Sequence, residues 1–289
     1  MKTSTEIFSS ARFVGEKKAI EYIAKAGFDA WDFTMFPMVD VDRKNNVCHT
    51  TSHPLSGDNY LSFARELRRV GEDNGIECNQ SHAPFPSCVD GMEKYLIRAL
   101  ECTSAAGGKI CIVHPDHNKS AEENAEFYMR LLPIAKDLDV KIAVENMWKW
   151  DNEKDHACPA ACSHHDDFLK HVLKVDDKYL VACLDIGHAE MKGLDTSAVQ
   201  MIYALKGYLQ ALHIHDNDKW HDSHQIPYSM DIRFEPIIKA LADVGYSGYF
   251  TLECDQFIVS ADGVGEKIKK LYEVVRKMAD EFESYTFIK

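Results

Sequence analysis

The chain has little of what would mark a membrane-bound, secreted or nucleic-acid-binding protein. None of its apolar runs reaches 18 residues, so no membrane-spanning helix is expected. The stretch from Met1 to Phe13 lacks the apolar centre of a secretory signal, which makes the cytoplasm the expected compartment. The nine cysteines are scattered, and an odd number argues for free thiols over a disulfide framework. Lysine and arginine total 33 against 46 acids, giving a net charge of −13. That balance argues against a general grip on phosphate backbones, though not against a local basic patch. No glycine-rich cradle of the Walker or dinucleotide type occurs. No linker rich in proline and serine divides the chain, and neither serine nor cysteine stands in a convincing nucleophile setting.

What the sequence does have is a repeated unit of short apolar strand, polar loop and amphipathic helix. Eight strands are expected: residues 5–9, 30–35, 76–82, 109–114, 141–146, 181–188, 209–216 and 248–254. Helices are expected at 16–26, 58–74, 89–106, 120–137, 166–174, 195–206, 234–244 and 265–283, with Gly27, Gly75 and Gly245 as stops. Pro133 predicts a kink in the fourth of these, and Asp195 is the expected cap of the sixth. Strict strand–helix alternation implies parallel strands with right-handed crossovers. Eight units in 289 residues predict one α/β domain over 1–289, a (β/α)8 TIM barrel, with a doubly wound open sheet as the alternative.

The residues at 181–188, Val-Ala-Cys-Leu-Asp-Ile-Gly-His, run from an apolar strand into an acid and a histidine. In a parallel barrel that end faces the chemistry. Other strands finish the same way, in His82, His114, Glu145, Asp185 with His188, His215 and Glu253. The positions two residues earlier share the inward face, and Ala143, Cys183, His213 and Thr251 are expected to pack beneath the polar layer. Converging carboxylates repel one another unless a cation relieves them. Mixed carboxylate and imidazole donors suit Mn²⁺ first, with Co²⁺, Mg²⁺ or Zn²⁺ as alternatives. Glu145, Asp185, His215 and Glu253 form the expected ligand set.

The segments AVEN at 143–146, CLDIGH at 183–188, LHIHDND at 212–218 and TLECD at 251–255 resemble the xylose-isomerase-like barrel superfamily. That superfamily holds sugar isomerases and epimerases, inosose dehydratases and apurinic-site endonucleases. The resemblance implies one divalent metal held by Glu145, Asp185, His215 and Glu253, with His188 contacting the substrate. The implied reaction is proton abstraction α to a carbonyl through a metal-bound enediolate, with Glu145 and Glu253 as the acid–base pair. An inosose-type dehydratase would use the same chemistry. The implied partner is a small sugar or polyol derivative, and relatives of this kind are often homo-oligomers.

One loop departs from the epimerase pattern. Asp222 and His224 form an Asp-x-His pair that resembles the endonuclease branch, where such a pair and further histidines build a site for two to three zinc ions. His82, His114 and His188 supply matching residue types. Against a zinc phosphodiesterase stands the acidic loop after the fifth strand, since a nuclease needs basic, intercalating loops. Trp148 and Trp150 in that loop are candidates to stack on a sugar face. Cys158 and Cys162, with His156, His164 and His165, are loosely zinc-like but match no standard spacing.

Overall fold

A computed structural model describes residues 1–286. Eight strands run parallel in one sheet: β1 (Thr3–Glu6), β2 (Ala30–Thr34), β3 (Glu77–His82), β4 (Ile110–Ile112), β5 (Lys141–Glu145), β6 (Leu180–Asp185), β7 (Leu209–His213) and β8 (Phe250–Leu252). Strands β1 to β7 pair in chain order, and β8 pairs with β1. Between β7 and β8 the barrel is closed by the bridge of Ile214 to Leu252. The Ile214 N–H donates to the Thr251 carbonyl at 2.9 Å, and the Glu253 N–H to the Ile214 carbonyl at 3.0 Å. The fold is therefore the TIM barrel that the alternation predicts.

Eight of the helices follow the expected units with shifted ends, while α1 and α7 are additional, and α7 takes over the end of the stretch expected as strand at 181–188. They are α1 (Phe8–Val14), α2 (Glu16–Ala26), α3 (Tyr60–Asp73), α4 (Glu93–Ala106), α5 (Ala121–Asp137), α6 (His165–Val175), α7 (Ile186–Ala189), α8 (Ala198–Leu205), α9 (Phe234–Val244) and α10 (Val264–Thr286). Helix α2 shows why they form: Ala19, Ile20 and Ile23 make one buried stripe, and Gly27 closes the helix at φ 109°. Pro133 lies inside α5, which begins with a reciprocal Ser120–Glu123 capping box. Ser197, not Asp195, caps α8, because its hydroxyl accepts the Gln200 N–H while Asp195 takes a left-handed turn position at φ 51°. The segment expected as strand at 5–9 turns helical from Phe8, because the Glu6 carboxylate captures the Ser9 N–H.

Two antiparallel hairpins had no counterpart in the sequence reading. The first pairs Val39–Asp42 with Val47–Thr50 after β2, and the second pairs Trp148–Asp151 with His156–Pro159 after β5. Both extend from the C-terminal ends of the barrel strands. Inside the barrel, Ile112, Ala143, Val181, Cys183 and Ala211 form a compact apolar layer, so Ala143 and Cys183 lie where alternation put them. The larger core, including Trp31, Phe33, Phe168 and Phe250, fills the space between sheet and helices.

Glu6, at the end of β1, is buried, and its carboxylate accepts from the backbone N–H and hydroxyl of Ser9. Burial pushes its pKa up to about 7 against those hydrogen bonds, with Asp255 and Asp32 adding to the rise. The folded chain thus holds this proton more tightly than the unfolded chain, and stability falls as pH climbs from about 4.5 to about 7. The loss is about 3 kcal/mol at about 1.4 kcal/mol per tenfold change. Glu6→Gln is expected to raise the melting temperature above pH 7 and to change it little at pH 4.5. Equal gains at the two pH values would contradict this origin.

Candidate active site and metal centre

The strand ends and both hairpins enclose a cavity of about 440 Å³. Its floor holds His82, His114, Glu145, His188, Asp222, His224 and Glu253, and its walls include Phe36, Phe85, Trp148 and Trp150. The polar floor resolves into two groups.

The first is centred on Glu145, buried at the end of β5. Its Oε1 accepts from His213 Nδ1 at 2.7 Å, and its Oε2 lies 2.8 Å from His114 Nε2 and 3.3 Å from His82 Nε2. Glu253 Oε2 approaches the same His213 nitrogen at 3.4 Å. The far side of that ring faces Asp32, with Nε2 and Oδ2 3.4 Å apart. His213 therefore stands between carboxylates on both edges. A carboxylate behind a ligating imidazole is the usual device for fixing ring orientation.

The second group gathers around Asp222. Its Oδ2 lies 3.1 Å from His188 Nε2 and 3.2 Å from His224 Nε2, and its Oδ1 lies 3.6 Å from His215 Nε2. Ligand atoms of His188, His215, Asp222 and His224 all fall within 4.8 Å of one another. His188 Nδ1 donates to the Asn146 carbonyl and His224 Nδ1 to the Glu253 carbonyl, each at 2.9 Å, which turns both Nε2 atoms inward. Asp185 joins the groups: its Oδ1 is 3.0 Å from His215 Nε2, and its carboxyl feels the charge of Glu145. Asp185 also caps α7 by accepting the His188 N–H at 2.7 Å, and a reciprocal backbone–amide pair with Asn146 locks it to β5. Backbone packing matters here too. A Cβ on Gly187 would fall inside the His215 ring.

The expected donors fall into two groups. Glu145 and Glu253 come together on His213, whereas His215 sits with Asp185 and Asp222. Both histidines project to the same side of the chain, so alternation could not choose between them. The choice is made by stagger: Asp185 pairs with His213 across β6 and β7, while Glu145 pairs with Cys183 across β5 and β6. His82 and His114 meet at Glu145, and His188 and His224 meet at Asp222. Asp32 and Asn146 were not singled out; Asp32 could have been noticed as an acid inside the apolar strand β2. Trp148 and Trp150 line the cavity, and Trp148 Nε1 donates to Asp222 at 3.3 Å. Cys162 is buried in the main core, and His164 caps α6 by accepting the Asp166 N–H at 3.3 Å.

Electrostatics push the two glutamates apart. Burial drives Glu253 up to about 8 despite His213 and His224. For Glu145 burial acts in the same sense, but His213 and His114 overcome it and hold the carboxyl well below the usual range. Burial would lower His188, yet Asp185 and Asp222 raise it to about 10. Against burial, His213 is held well above the ordinary value by Cys183, Glu253 and Glu145, and His224 by Asp222 and Glu253. Burial takes His114 down to about 4 against Glu145. Around Asp222, then, two protonated imidazoles occupy the place where a dication would satisfy the same charge. Asp222 Oδ1 is buried without a hydrogen-bond partner. This donor set fits a divalent metal.

A parallel barrel with a histidine–carboxylate centre at its strand ends defines a recognisable class of protein. The chain belongs to the xylose isomerase-like TIM barrel family, whose model matches residues 20–278. It is similar to an uncharacterized protein of Methanocaldococcus jannaschii, at 26% identity over 95% of this chain and 92% of that protein. Among solved structures, a D-tagatose 3-epimerase-like protein shares 20% identity with a TM-score of 0.72, covering 98% of this chain and 99% of that one. An L-ribulose 3-epimerase shares 14% identity with a TM-score of 0.71, covering 99% and 96%. At these identities the likeness is one of fold.

Proposed function

We propose that the chain is a divalent-metal-dependent sugar isomerase or epimerase. The observation that carries this reading is the pair Glu145 and Glu253. Both carboxylates reach His213 Nδ1, at 2.7 and 3.4 Å, yet one is held ionised and the other protonated near neutral pH. Carboxylates driven apart in this way are suited to act as base and acid. The epimerase names among the structural neighbours support the same class.

Glu145, Asp185, His213 and Glu253 would hold the ion, which when bound supplies Lewis-acid stabilisation of negative charge on substrate oxygens. Glu145 takes the proton α to the substrate carbonyl, and Glu253 returns one to the resulting enediolate, with the roles exchanged in reverse. His213 is kept in register by Asp32. Trp148 and Trp150 shield the reacting carbons from water and offer faces on which a sugar stacks. Dehydration of an inosose-type ketone would begin with the same proton abstraction.

The test is incubation of the Mn²⁺-loaded protein with a panel of ketoses in D₂O. Deuterium is expected at the carbon next to the carbonyl, and no exchange with any ketose would sink the proposal. A second reading, phosphoester cleavage at a centre of two to three zinc ions, is favoured by the gathering of His188, His215, Asp222 and His224. About three zinc ions per chain by elemental analysis, with cleavage of an abasic duplex, would establish it instead.

Metal binding is expected to release protons. His188, at about 10, carries a proton at pH 6 to 7 and must lose it to become a ligand of an ion held with His215, Asp222 and His224. Apparent affinity should therefore rise with pH, by about tenfold per unit below about 10 for the proton displaced. Titrating Mn²⁺ or Zn²⁺ into the protein at pH 6 and 7 checks this, and a pH-independent affinity contradicts it.

A further inference from the structure

The cavity that holds the histidine–carboxylate centre is acidic on its floor, where Glu145, Asp222 and Glu253 face it. Two of its lining residues are basic, Arg43 and Lys149, and they lie on separate hairpins. Arg43 follows Asp42 in the turn of the first hairpin, and Lys149 stands between Trp148 and Trp150 in the second. Neither makes an ion pair or side-chain hydrogen bond among the described residues. Surface cations such as Lys2, Lys17, Arg68, Lys109 and Arg130 hold carboxylates instead. In a chain of net charge −13, two cations left unpaired over an acidic cavity call for a ligand.

A third group marks where they converge. His117 lines the same cavity, and its Nε2 is buried without a hydrogen-bond partner. Burial lowers its pKa against the neighbouring Asp116, and His188, Lys149 and Arg43 lower it further, so both cations act on the same imidazole. The ring lies 6.4 Å from that of His114, which reaches Glu145. The cavity is thus polarised, with acids and metal-type donors at the floor and positive charge near His117.

We infer that Arg43, Lys149 and His117 form an anion subsite for a phosphate or carboxylate carried by the substrate at a distance from its reacting carbon. This rests on reading the cavity as a sugar site, and it narrows the substrate from sugars in general to sugar phosphates or sugar acids. Arg43 and Lys149 balance the two charges of a phosphate monoester, and either alone balances a carboxylate. The Arg43 turn and the Lys149 strand belong to different hairpins, so an anion between them ties the two together over the bound sugar.

Trp148 and Trp150 flank Lys149 and provide the readout. Tryptophan fluorescence of the metal-loaded protein is titrated with D-fructose, D-fructose 6-phosphate, D-glucuronate and inorganic phosphate, in the parent and in the Arg43→Gln/Lys149→Gln double variant. The phosphorylated ketose is expected to bind at least tenfold more tightly than the neutral one, and the ratio to collapse to about one in the double variant. Preference for glucuronate over fructose, without preference for the phosphate ester, assigns the subsite to carboxylates. Equal affinity of fructose and its phosphate in the parent overturns the anion subsite while leaving the sugar site standing. If no ketose binds at all, the sugar reading fails, and inorganic phosphate decides the subsite by itself. At least fivefold weaker phosphate binding in the double variant supports it, whereas unchanged binding overturns it. Because Arg43 is exposed and Lys149 half-buried, the variant is expected to fold, which far-UV circular dichroism checks. Tight binding of an abasic duplex that weakens in the double variant would also overturn a small-molecule occupant.

Discussion

Glu145→Gln is expected to fold normally, to lose at least one metal ion per chain and to lose turnover by about a thousandfold, within the range for removing a general base. Glutamine has the same shape and can still accept from His213 Nδ1. It cannot take a proton, and it carries no charge to hold His82, His114 and His213 around a cation. Elemental analysis and deuterium exchange into a ketose measure the two losses separately, while circular dichroism reports the fold. Wild-type exchange in this variant would end the two-carboxylate mechanism. The parallel change Glu253→Gln should spare more of the metal, since Glu253 carries a proton near neutral pH and Glu145 does not.

The second large effect should come from a residue with no side chain. Gly187→Ala places a methyl group where the His215 ring lies, against Cε1, Nε2 and Nδ1. The ring cannot easily retreat, because it stacks on His224 with centroids 3.8 Å apart and packs beside Asp185. Overpacking of this kind costs about 1–3 kcal/mol. The cost should fall on the second group of donors: His215 is displaced, Asp222 and His224 shift with it, and metal held there is lost while the Glu145 group keeps its ion. Thermal melts with metal counting test both parts. An alanine variant of parental stability and full metal content would show that the ring has room to move.

How much of this was legible beforehand depended on the physics involved. Apolar runs such as Lys141–Glu145 and Leu180–Asp185 announced buried strands, and eight of them with intervening amphipathic helices announced the barrel. The ends Glu145, Asp185 and Glu253 were readable because an acid terminating an apolar run has few other places to go. His213 was not, because inward-facing residues on one strand look alike until the stagger between neighbouring strands is known. Stagger is a property of the closed sheet, not of any single segment. The hairpins at 39–50 and 148–159 were missed for a related reason: each has strands of four residues, too short for a period to show. Those hairpins carry Arg43 and Lys149, so the basic side of the cavity was invisible as well.

The barrel's closure also bears on how it breathes. Every neighbouring pair of strands from β8 through β1 to β7 is joined by a ladder, with a register shift in β2–β3 and in β6–β7, but β7 meets β8 through the single bridge at Ile214. Local opening costs least where the fewest backbone bonds must break together. The amides of Ile214 and Glu253 should therefore exchange with solvent ahead of those in β5 or β6. That seam lies between His213 and His215 on one strand and Glu253 on the other, so an ion joining His213 to Glu253 would act as a cross-brace on the weakest joint of the barrel. Loading the centre should slow exchange there more than anywhere else in the sheet.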